Sequence, residues 1–240
     1  AWLTRISHTL FLATLRSADL ADSSIVVRSS RLLRVIAPRW PAAALTAGGD
    51  VRAGGTLRVL PQDSAAIEAC GPTPPDWAPI AIPPGHSAPG VFREWLPAGA
   101  DSTYRVLGEV PLQAHAARAT IRLTGGGPVP APSASIILAD GDIDLAGGSG
   151  RGLLIVEGRL RLSGPVVFRG VIVALGGLDV DGSGAVVEGI ILAAGASAPA
   201  VAIDSNADFT LRYDRCLAED VAWHAGRAGL FRPRGWTPAP

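Results

Sequence analysis

Acidic side chains that could bind calcium or cleave a sugar are concentrated in the middle of the chain. The densest group is Asp140-Gly-Asp-Ile-Asp144. Alternating carboxylates are typical of calcium loops, but an EF-hand loop requires glycine at its sixth position, where this sequence has Leu145. Glycoside hydrolysis needs two carboxylates about 5 to 9.5 Å apart, one of them with a raised pKa. The neighbouring repeat offers Arg161 instead of a second acid, so the sequence disfavours both chemistries.

Other residue patterns do not indicate a catalytic or metal centre either. Ser163-Gly-Pro and Ser183-Gly are turn sequences and lack the Gly-x-Ser-x-Gly pattern of a nucleophile elbow. The glycine-rich segment Gly147–Gly152 lacks the Lys-Ser/Thr that ends a phosphate-binding loop. The histidines are scattered along the chain: His8, His86, His115 and His224. We therefore predict no catalytic, cofactor-binding or metal-ligating residue, no cofactor and no enzymatic activity.

The two cysteines, Cys70 and Cys216, allow two interpretations. Neither belongs to a Cys-x-x-Cys pair, so a zinc site is disfavoured. They form either one long-range disulfide or two separate buried thiols. A bridge would close a loop of about 145 residues and stabilise the fold by roughly 4 to 5 kcal/mol. It would also indicate an oxidising compartment.

Charge and hydropathy exclude several classes of protein. The chain has 21 Arg and Lys, all of them arginine, against 21 Asp and Glu. Zero net charge argues against a nucleic-acid partner, which needs a basic surface. Hydrophobic residues make up 48% and charged residues 18%, which argues against disorder. No apolar run approaches the ~20 residues that span a bilayer, so we expect membrane attachment only through a segment before Ala1, if at all.

The segment between residues 136 and 195 repeats with a period of 17 to 19 residues. Apolar runs begin at Ile136, Leu153, Val171 and Ile190, and each is followed by glycine. A fixed period marks a solenoid, and turns this short fit β-strands better than helix pairs. We predict a mainly β fold, a right-handed β-helix with turns of this length. The predicted corner residues are Gly141, Gly158, Gly176 and Gly195, together with Gly152, Gly170 and Gly189.

Alignment of the repeats on their glycines brings opposite charges side by side. One column contains Asp144, Arg161 and Asp179, between two apolar columns that should face the interior. Arg169 and Glu188 form a second pair of the same kind. Opposite charges on neighbouring strands stabilise a sheet by about 0.2 to 1 kcal/mol per pair. We predict that this charge ladder faces water and fixes the register of successive turns.

The rest of the chain is divided around the repeats. Residues 1–70 are predicted to form short strands that lead into the solenoid, and residues 71–133 a proline-rich excursion with one short helix. The solenoid repeats occupy 134–211, and 212–240 form a C-terminal helix and tail. We expect one compact unit in which the C-terminal helix caps the solenoid.

Several segments resemble bacterial type IV pilus assembly proteins of the PilX type. The resemblance covers residues 134–236 well and 4–60 loosely, and rests on Gly147–Leu160, Phe168–Val173, Glu188–Ala194, Leu211–Ala218, Arg234–Trp236 and Ala44–Gly55. Members of that family usually have a short cytoplasmic tip, one hydrophobic helix and an extracytoplasmic domain. The resemblance thus implies a minor pilin-like protein in the periplasm or at the cell surface, anchored in the membrane in its full-length form.

These observations lead to one favoured function and two alternatives. The favoured function is a non-enzymatic structural or assembly protein of the cell envelope, related to type IV pili, with other envelope or pilus proteins as partners. The first alternative is an accessory extracytoplasmic subunit of another membrane complex. The second is a polysaccharide-acting β-helix enzyme, which would need clustered acids in an open groove.

Overall fold

The protein is mainly β and separates into two compact units. A computed structural model describes residues 2–5, 10–18, 26–36, 42–61, 77–94, 116–130, 135–195, 199–225 and 227–230. The smaller unit combines residues 1–37 with 226–240, and the larger unit contains residues 38–225. The sequence suggested a single compact unit. In the structure, the two terminal regions of the chain belong to a unit of their own.

The strands and the one helix assigned within these ranges run in the following order. They are β1 (Trp2–Arg5), β2 (Leu10–Ala18), β3 (Val26–Ile36), β4 (Ala43–Ala47), β5 (Val51–Ala53), β6 (Thr56–Leu60), β7 (Ala78–Ile82), β8 (Phe92–Glu94), β9 (Ile121–Leu123), β10 (Gly127–Val129), β11 (Ser135–Ala139), β12 (Ile143–Val156), β13 (Leu160–Leu162), β14 (Val166–Ala174), β15 (Leu178–Val180), β16 (Ser183–Ala193), β17 (Val201–Ile203), β18 (Asp208–Tyr213), α1 (Arg215–Ala225) and β19 (Arg227–Leu230).

The smaller unit is a four-stranded antiparallel sheet in the order β1-β2-β3-β19. The strand β19 comes from the C-terminal end of the described chain and pairs with β3, with Arg227 opposite Ile36. The two terminal regions therefore share one sheet.

The larger unit is a curled sheet of parallel strands, in which each strand pairs with its equivalent one repeat further on. Ile143 pairs with Leu160, and Leu160 with Leu178, so partners lie 17 and 18 residues apart. Parallel strands cannot be joined by a tight hairpin, and each repeat must travel around before it returns to pair. The repeat found in the sequence is thus the length of one turn of chain.

Successive turns pair along three stacks of strands, which we name by their side chains. The apolar stack contains β9, β11, residues 152–156, 170–174 and 189–193, β4, β7 and β8. The arginine stack contains residues 143–145, β13, β15, β17 and β5. The third stack contains β10, residues 148–151, 166–169 and 183–188, β18 and β6.

Burial differs between the stacks in the way that their sequences predict. In the arginine stack, apolar and polar residues alternate, as in Leu160-Arg-Leu162, whose leucines are buried and whose arginine is exposed. In the apolar stack every residue of β4 is buried, and so are Leu153–Val156. A continuous apolar run is typical of a parallel strand that is covered on both faces, whereas alternation indicates one solvated face.

The order of the turns in space differs from their order in the chain. After β16, β17 and β18, the next turn is supplied by β4, β5 and β6, from the N-terminal part of the larger unit. The predicted leading strands therefore extend the stacks at the far end of the repeats. Part of the predicted proline-rich excursion also belongs to this sheet, since β7 pairs with β4 and β8 with β7.

Three corner glycines form a column where the third stack passes into the apolar stack. Gly152, Gly170 and Gly189 pair in register, with φ of 131°, 134° and 136°. A Cβ on Gly189 would collide with the carbonyl oxygen of Gly170 in the adjacent turn. Only glycine combines this backbone conformation with so close an approach of two chains. The strands can therefore bend here without a loop.

The sequence suggested that the C-terminal helix caps the stacks. In the structure the helix lies along their side. It packs mainly against β14 and β16 and touches β12, which are strands of successive central turns. Asp214 precedes the helix and accepts a hydrogen bond from the Leu217 amide at 2.9 Å, which is an N-cap contact. Ala218 and Val221 provide its buried face. Of the helix predicted in the excursion, only residues 116–119 are described, and they form a turn closed by an Ala119 N–H to Ala116 oxygen bond.

Candidate functional site

The charged residues singled out in the sequence lie on the outer face of the arginine stack and the third stack. Asp144 is opposite Arg161, and Arg161 is opposite Asp179. Arg169 is opposite Glu188. The register thus brings together every residue of the predicted ladder with its expected neighbour on the adjacent strand.

One bidentate ion pair in this surface involves Arg159, which the sequence analysis did not select. Its Nε and Nη2 donate to the two carboxylate oxygens of Asp179 at 2.5 and 2.6 Å. Its guanidinium also donates to the carbonyl oxygens of Gly176 at 3.0 Å and Pro199 at 3.2 Å. These bonds to Asp179 raise the pKa of Arg159 above its ordinary value. One arginine therefore connects three consecutive turns.

A glycine makes room for this arrangement. Gly177 has φ of 103°, and a Cβ there would lie 2.7 Å from Nη1 of Arg159 and 2.6 Å from the carbonyl oxygen of Ala200. Any side chain at this position would displace the guanidinium. The glycine is thus required by both the backbone conformation and the side chain that passes above it.

The pairing of Arg161 differs from the predicted ladder. Arg161 binds Asp181 through Nε at 2.8 Å and through Nη2, instead of Asp144 or Asp179. Asp144 accepts a hydrogen bond from the Ser163 hydroxyl at 2.5 Å. In the arginine stack, Arg159 and Arg161 therefore reach diagonally to the acid two residues beyond their register partner. In the third stack, Arg169 instead binds its register partner Glu188.

Arginines in this unit share a direction of pairing. Arg122 binds Asp140 at 3.3 Å, Arg159 binds Asp179, and Arg169 binds Glu188 at 2.8 Å. In each case, as for Arg161, the acid belongs to the next turn of the same stack. Two arginines of these stacked strands pair differently. Arg52 lies 3.9 Å from Asp50 of its own turn, and Arg151 binds Asp220 of α1 at 2.8 Å and fastens the helix to the sheet.

The remaining corner glycines have two different causes. Gly141 and Gly195 adopt φ of 93° and 32°. Gly158 and Gly176 do not have positive φ, but a Cβ on either would collide with the backbone of the preceding turn. Positive φ is therefore the reason for only part of the glycine pattern, and close approach of stacked corners is the reason for the rest.

A second polar cluster joins the turn after β7 to the turn before β5. Asp50 Oδ1 accepts hydrogen bonds from the Ser87 amide at 2.9 Å, the Ser87 hydroxyl at 3.3 Å and His86 Nδ1 at 3.3 Å. The Ser87 amide is the main cause of the lowered pKa of Asp50. The side chains of both Ser87 and His86 bind the carboxylate of Asp50, and among these groups no hydrogen bond joins the serine to the histidine. A nucleophile-base pair would need that bond, so these contacts connect two turns of the fold.

On these surfaces, acidic side chains are paired with arginines. The carboxylates of Asp179, Asp181 and Glu188 each bind an arginine, so each already has a cationic partner. Within the described residues, no group of three or more His, Cys, Asp or Glu side chains is arranged to hold a metal ion.

Cys216 lies in the first turn of α1 and is disulfide-bonded. Cys70, the other cysteine of the chain, lies outside the described residues. The pairing of the two stays a prediction.

Three of the polar residues that the sequence analysis missed occupy repeat positions. Asp142 and Arg159 stand one position before the first apolar residue of their strands, and the Arg159 amide donates to Asp142 Oδ1 at 2.7 Å. Asp181 directly follows the last residue of β15. The signal was present in the aligned repeats, two positions to either side of the column that was selected.

No protein-family model, curated protein or solved structure shows a significant match to the chain. No helix within the described residues has the length and apolar character needed to cross a membrane.

Proposed function

We propose that this chain is a non-enzymatic structural or assembly protein of the cell envelope, related to type IV pili, that acts as a rigid extracytoplasmic scaffold. The observation that carries the proposal is the set of four ion pairs that join neighbouring turns on the outer faces of the stacks. Such a surface holds its side chains in fixed positions, as a protein-binding scaffold requires, and leaves few free groups for chemistry. The envelope and pilus assignments rest on the sequence resemblance to PilX-type proteins.

We further propose that the stacks close into a complete right-handed β-helix. The parallel pairing along three stacks supports this, because a chain that pairs along three stacks on every turn winds around a common core. The right hand is the one that parallel strand crossovers adopt in nearly all cases. In this arrangement, the buried Phe168 and Phe209 would fill the core between turns.

The experiment that tests the proposed function is recovery of the native protein from its source envelope in mild detergent, with identification of co-purifying proteins by mass spectrometry. We expect pilins or pilus assembly factors in stoichiometric amounts. A different stable membrane complex would replace the pilus assignment with that of an accessory subunit. A monomeric protein that cleaves envelope polysaccharide would overturn the proposal as a whole.

A matched variant links the experiment to the scaffold surface. Arg169→Glu would place a second acid beside Glu188 on the exposed face of the third stack, with no core residue changed. If this face binds partners, the variant should lose co-purifying proteins while it keeps its circular dichroism spectrum. Arg122→Glu, which makes the same charge change beside Asp140 in the apolar stack, is the control.

A further inference from the structure

The third stack ends one turn earlier than the apolar stack. Beyond β4, the apolar stack continues with β7 and β8. The third stack ends with β6, which pairs with β18 on one side only. Within the described part of the chain, no strand covers the other edge of β6.

The length of the last turn explains why the third stack ends before the apolar stack. Ile80 pairs with Phe92, which lies only twelve residues further on. Between 16 and 35 residues separate the partners in the turns that pass through the third stack. The short turn touches the arginine stack once, where the Ser87 carbonyl accepts a bond from the Val51 amide at 2.8 Å, and then returns to β8. It is too short to add a strand beside β6.

The free edge of β6 has unpaired backbone groups. The Thr56 amide donates to the carbonyl oxygen of Ala207, so Thr56, Arg58 and Leu60 direct their backbone groups toward β18. In a parallel strand the intervening residues point the other way. The amides and carbonyls of Leu57 and Val59 therefore face outward, and both side chains are only half-buried.

The side chains of this edge specify the chemistry of a strand that would pair with it. Each of four stacked arginines binds an acid of the next turn, as described above. Arg58 projects from β6 in an exposed position, and among the described residues no next turn supplies its acid. Arg212 on β18 likewise makes no ion pair within the described residues. An added strand with an acid opposite Arg58, or two residues beyond, would continue the pattern.

We propose that the edge of β6, Thr56–Leu60, binds a parallel β-strand of another protein, with acidic side chains on its outer face and apolar side chains on its inner face. The strand would supply the missing part of the last turn. Its apolar residues would cover Leu57 and Val59, and its acid would pair with Arg58. This proposal rests on the scaffold function proposed above and names the surface and the partner chemistry.

A second copy of the chain does not fit this edge. The first turn at the opposite end, residues 116–130, has no acid, two arginines, and Pro128 within β10. Proline lacks the amide that a new pair would need and is a common guard of exposed edges. Two copies joined through β6 itself would bring the Arg58 side chains together, and like charges on paired strands are destabilising.

The test uses the whole chain and two synthetic peptides, acetyl-Gly-Val-Glu-Val-Glu-Val-Gly-amide and its lysine counterpart, each with a fluorescent label. We expect the glutamate peptide to bind at least about five-fold more tightly than the lysine peptide, as measured by fluorescence anisotropy. Arg58→Glu should reverse this preference. Arg118→Glu, the same charge change at the opposite end of the stacks, should leave it unchanged.

Hydrogen exchange separates strand addition from simple charge attraction. The glutamate peptide should slow exchange of the Leu57 and Val59 amides, which face the free edge. Equal binding of the two peptides, or a charge preference without amide protection, would overturn the proposal. So would a concentration-dependent dimer that Arg58→Glu abolishes, because it would identify the occupant as a second copy. None of these outcomes alters the co-purification result, so failure here and failure of the scaffold function are distinguishable.

Discussion

The contribution of Arg159 to stability can be worked out from its contacts and tested by a double-mutant cycle. The perturbations are Arg159→Gln, Asp179→Asn and the two together. Both hydrogen bonds between the side chains are charge-assisted and bidentate, a geometry stronger than a single neutral bond. The side chains of Arg159 and Asp179 are 24% and 36% exposed, so water screens the pair only in part.

These values place the coupling between two known limits. Exposed ion pairs contribute about 0.2 to 1 kcal/mol, and hydrogen bonds to charged groups about 1.5 to 3 kcal/mol. We expect a coupling free energy of about 1 to 2 kcal/mol between Arg159 and Asp179. Arg159→Gln alone should cost more than Asp179→Asn, because it also removes the bonds to the Gly176 and Pro199 carbonyl oxygens.

The assay is urea unfolding of the four proteins, followed by circular dichroism, with free energies extrapolated to water. The matched control is the cycle for Arg161 and Asp181, in which the arginine side chain is 56% exposed. Its coupling should be clearly smaller and should fall further in 0.5 M salt, since exposed pairs are screened more effectively. Equal coupling in the two cycles would refute the argument that Arg159 connects the turns through partly buried contacts.

Three further predictions concern backbone geometry, pH and the cysteine. Gly170→Ala should destabilise the larger unit by at least about 2 kcal/mol in urea unfolding, because φ of 134° and the Gly152 carbonyl oxygen both exclude a Cβ. Because the pKa of Asp50 is lowered in the folded protein, its hydrogen bonds to Ser87 and His86 stabilise the fold at pH values above the ordinary pKa of 3.8. This contribution should disappear as the pH falls through the lower folded-state pKa. The difference in unfolding midpoint between the parent protein and Asp50→Asn should therefore close at acidic pH, and a gap that widens there would contradict the sign. Cys216→Ser should destabilise by roughly 4 to 5 kcal/mol if the bridge closes the long loop to Cys70, and non-reducing peptide mapping identifies the partner.

Much of the sheet could be predicted because its sequence signal is repeated. The pattern of Ile143-Asp-Leu145 recurs in β13 and β15, and repetition makes a weak alternation convincing. The mainly β fold with parallel stacked strands is confirmed. The place of β4 to β6 was not predictable in this way, because Val51-Arg-Ala53 is short and its neighbours in the chain are not its neighbours in space.

Arg169 and Glu188 meet as the sequence predicts, whereas the charged pairs of the arginine stack could be predicted only to the level of the strand register. Alignment of the repeats into columns assumes that each side chain stays above its own Cα. An arginine side chain is longer than the spacing of about 4.8 Å between strands, so it can pass its register partner and bind the next acid along. Arg161 does this with Asp181, and Arg159 with Asp179. For the arginine stack, the sequence therefore indicates which turns are connected but not which two side chains meet.

The order of the turns has a consequence for folding. The turns from residue 135 to 213 can pair with their chain neighbours as each is completed, which is a sequence of local steps. β6 must instead wait for β18, about 150 residues later in the chain, and non-local parallel pairing is slow. Until it forms, the edge of β18 displays Arg212 and the buried Phe209 to solvent. The same site that β6 completes is thus an exposed strand edge during folding, and β6 in turn leaves a new edge that no described strand covers.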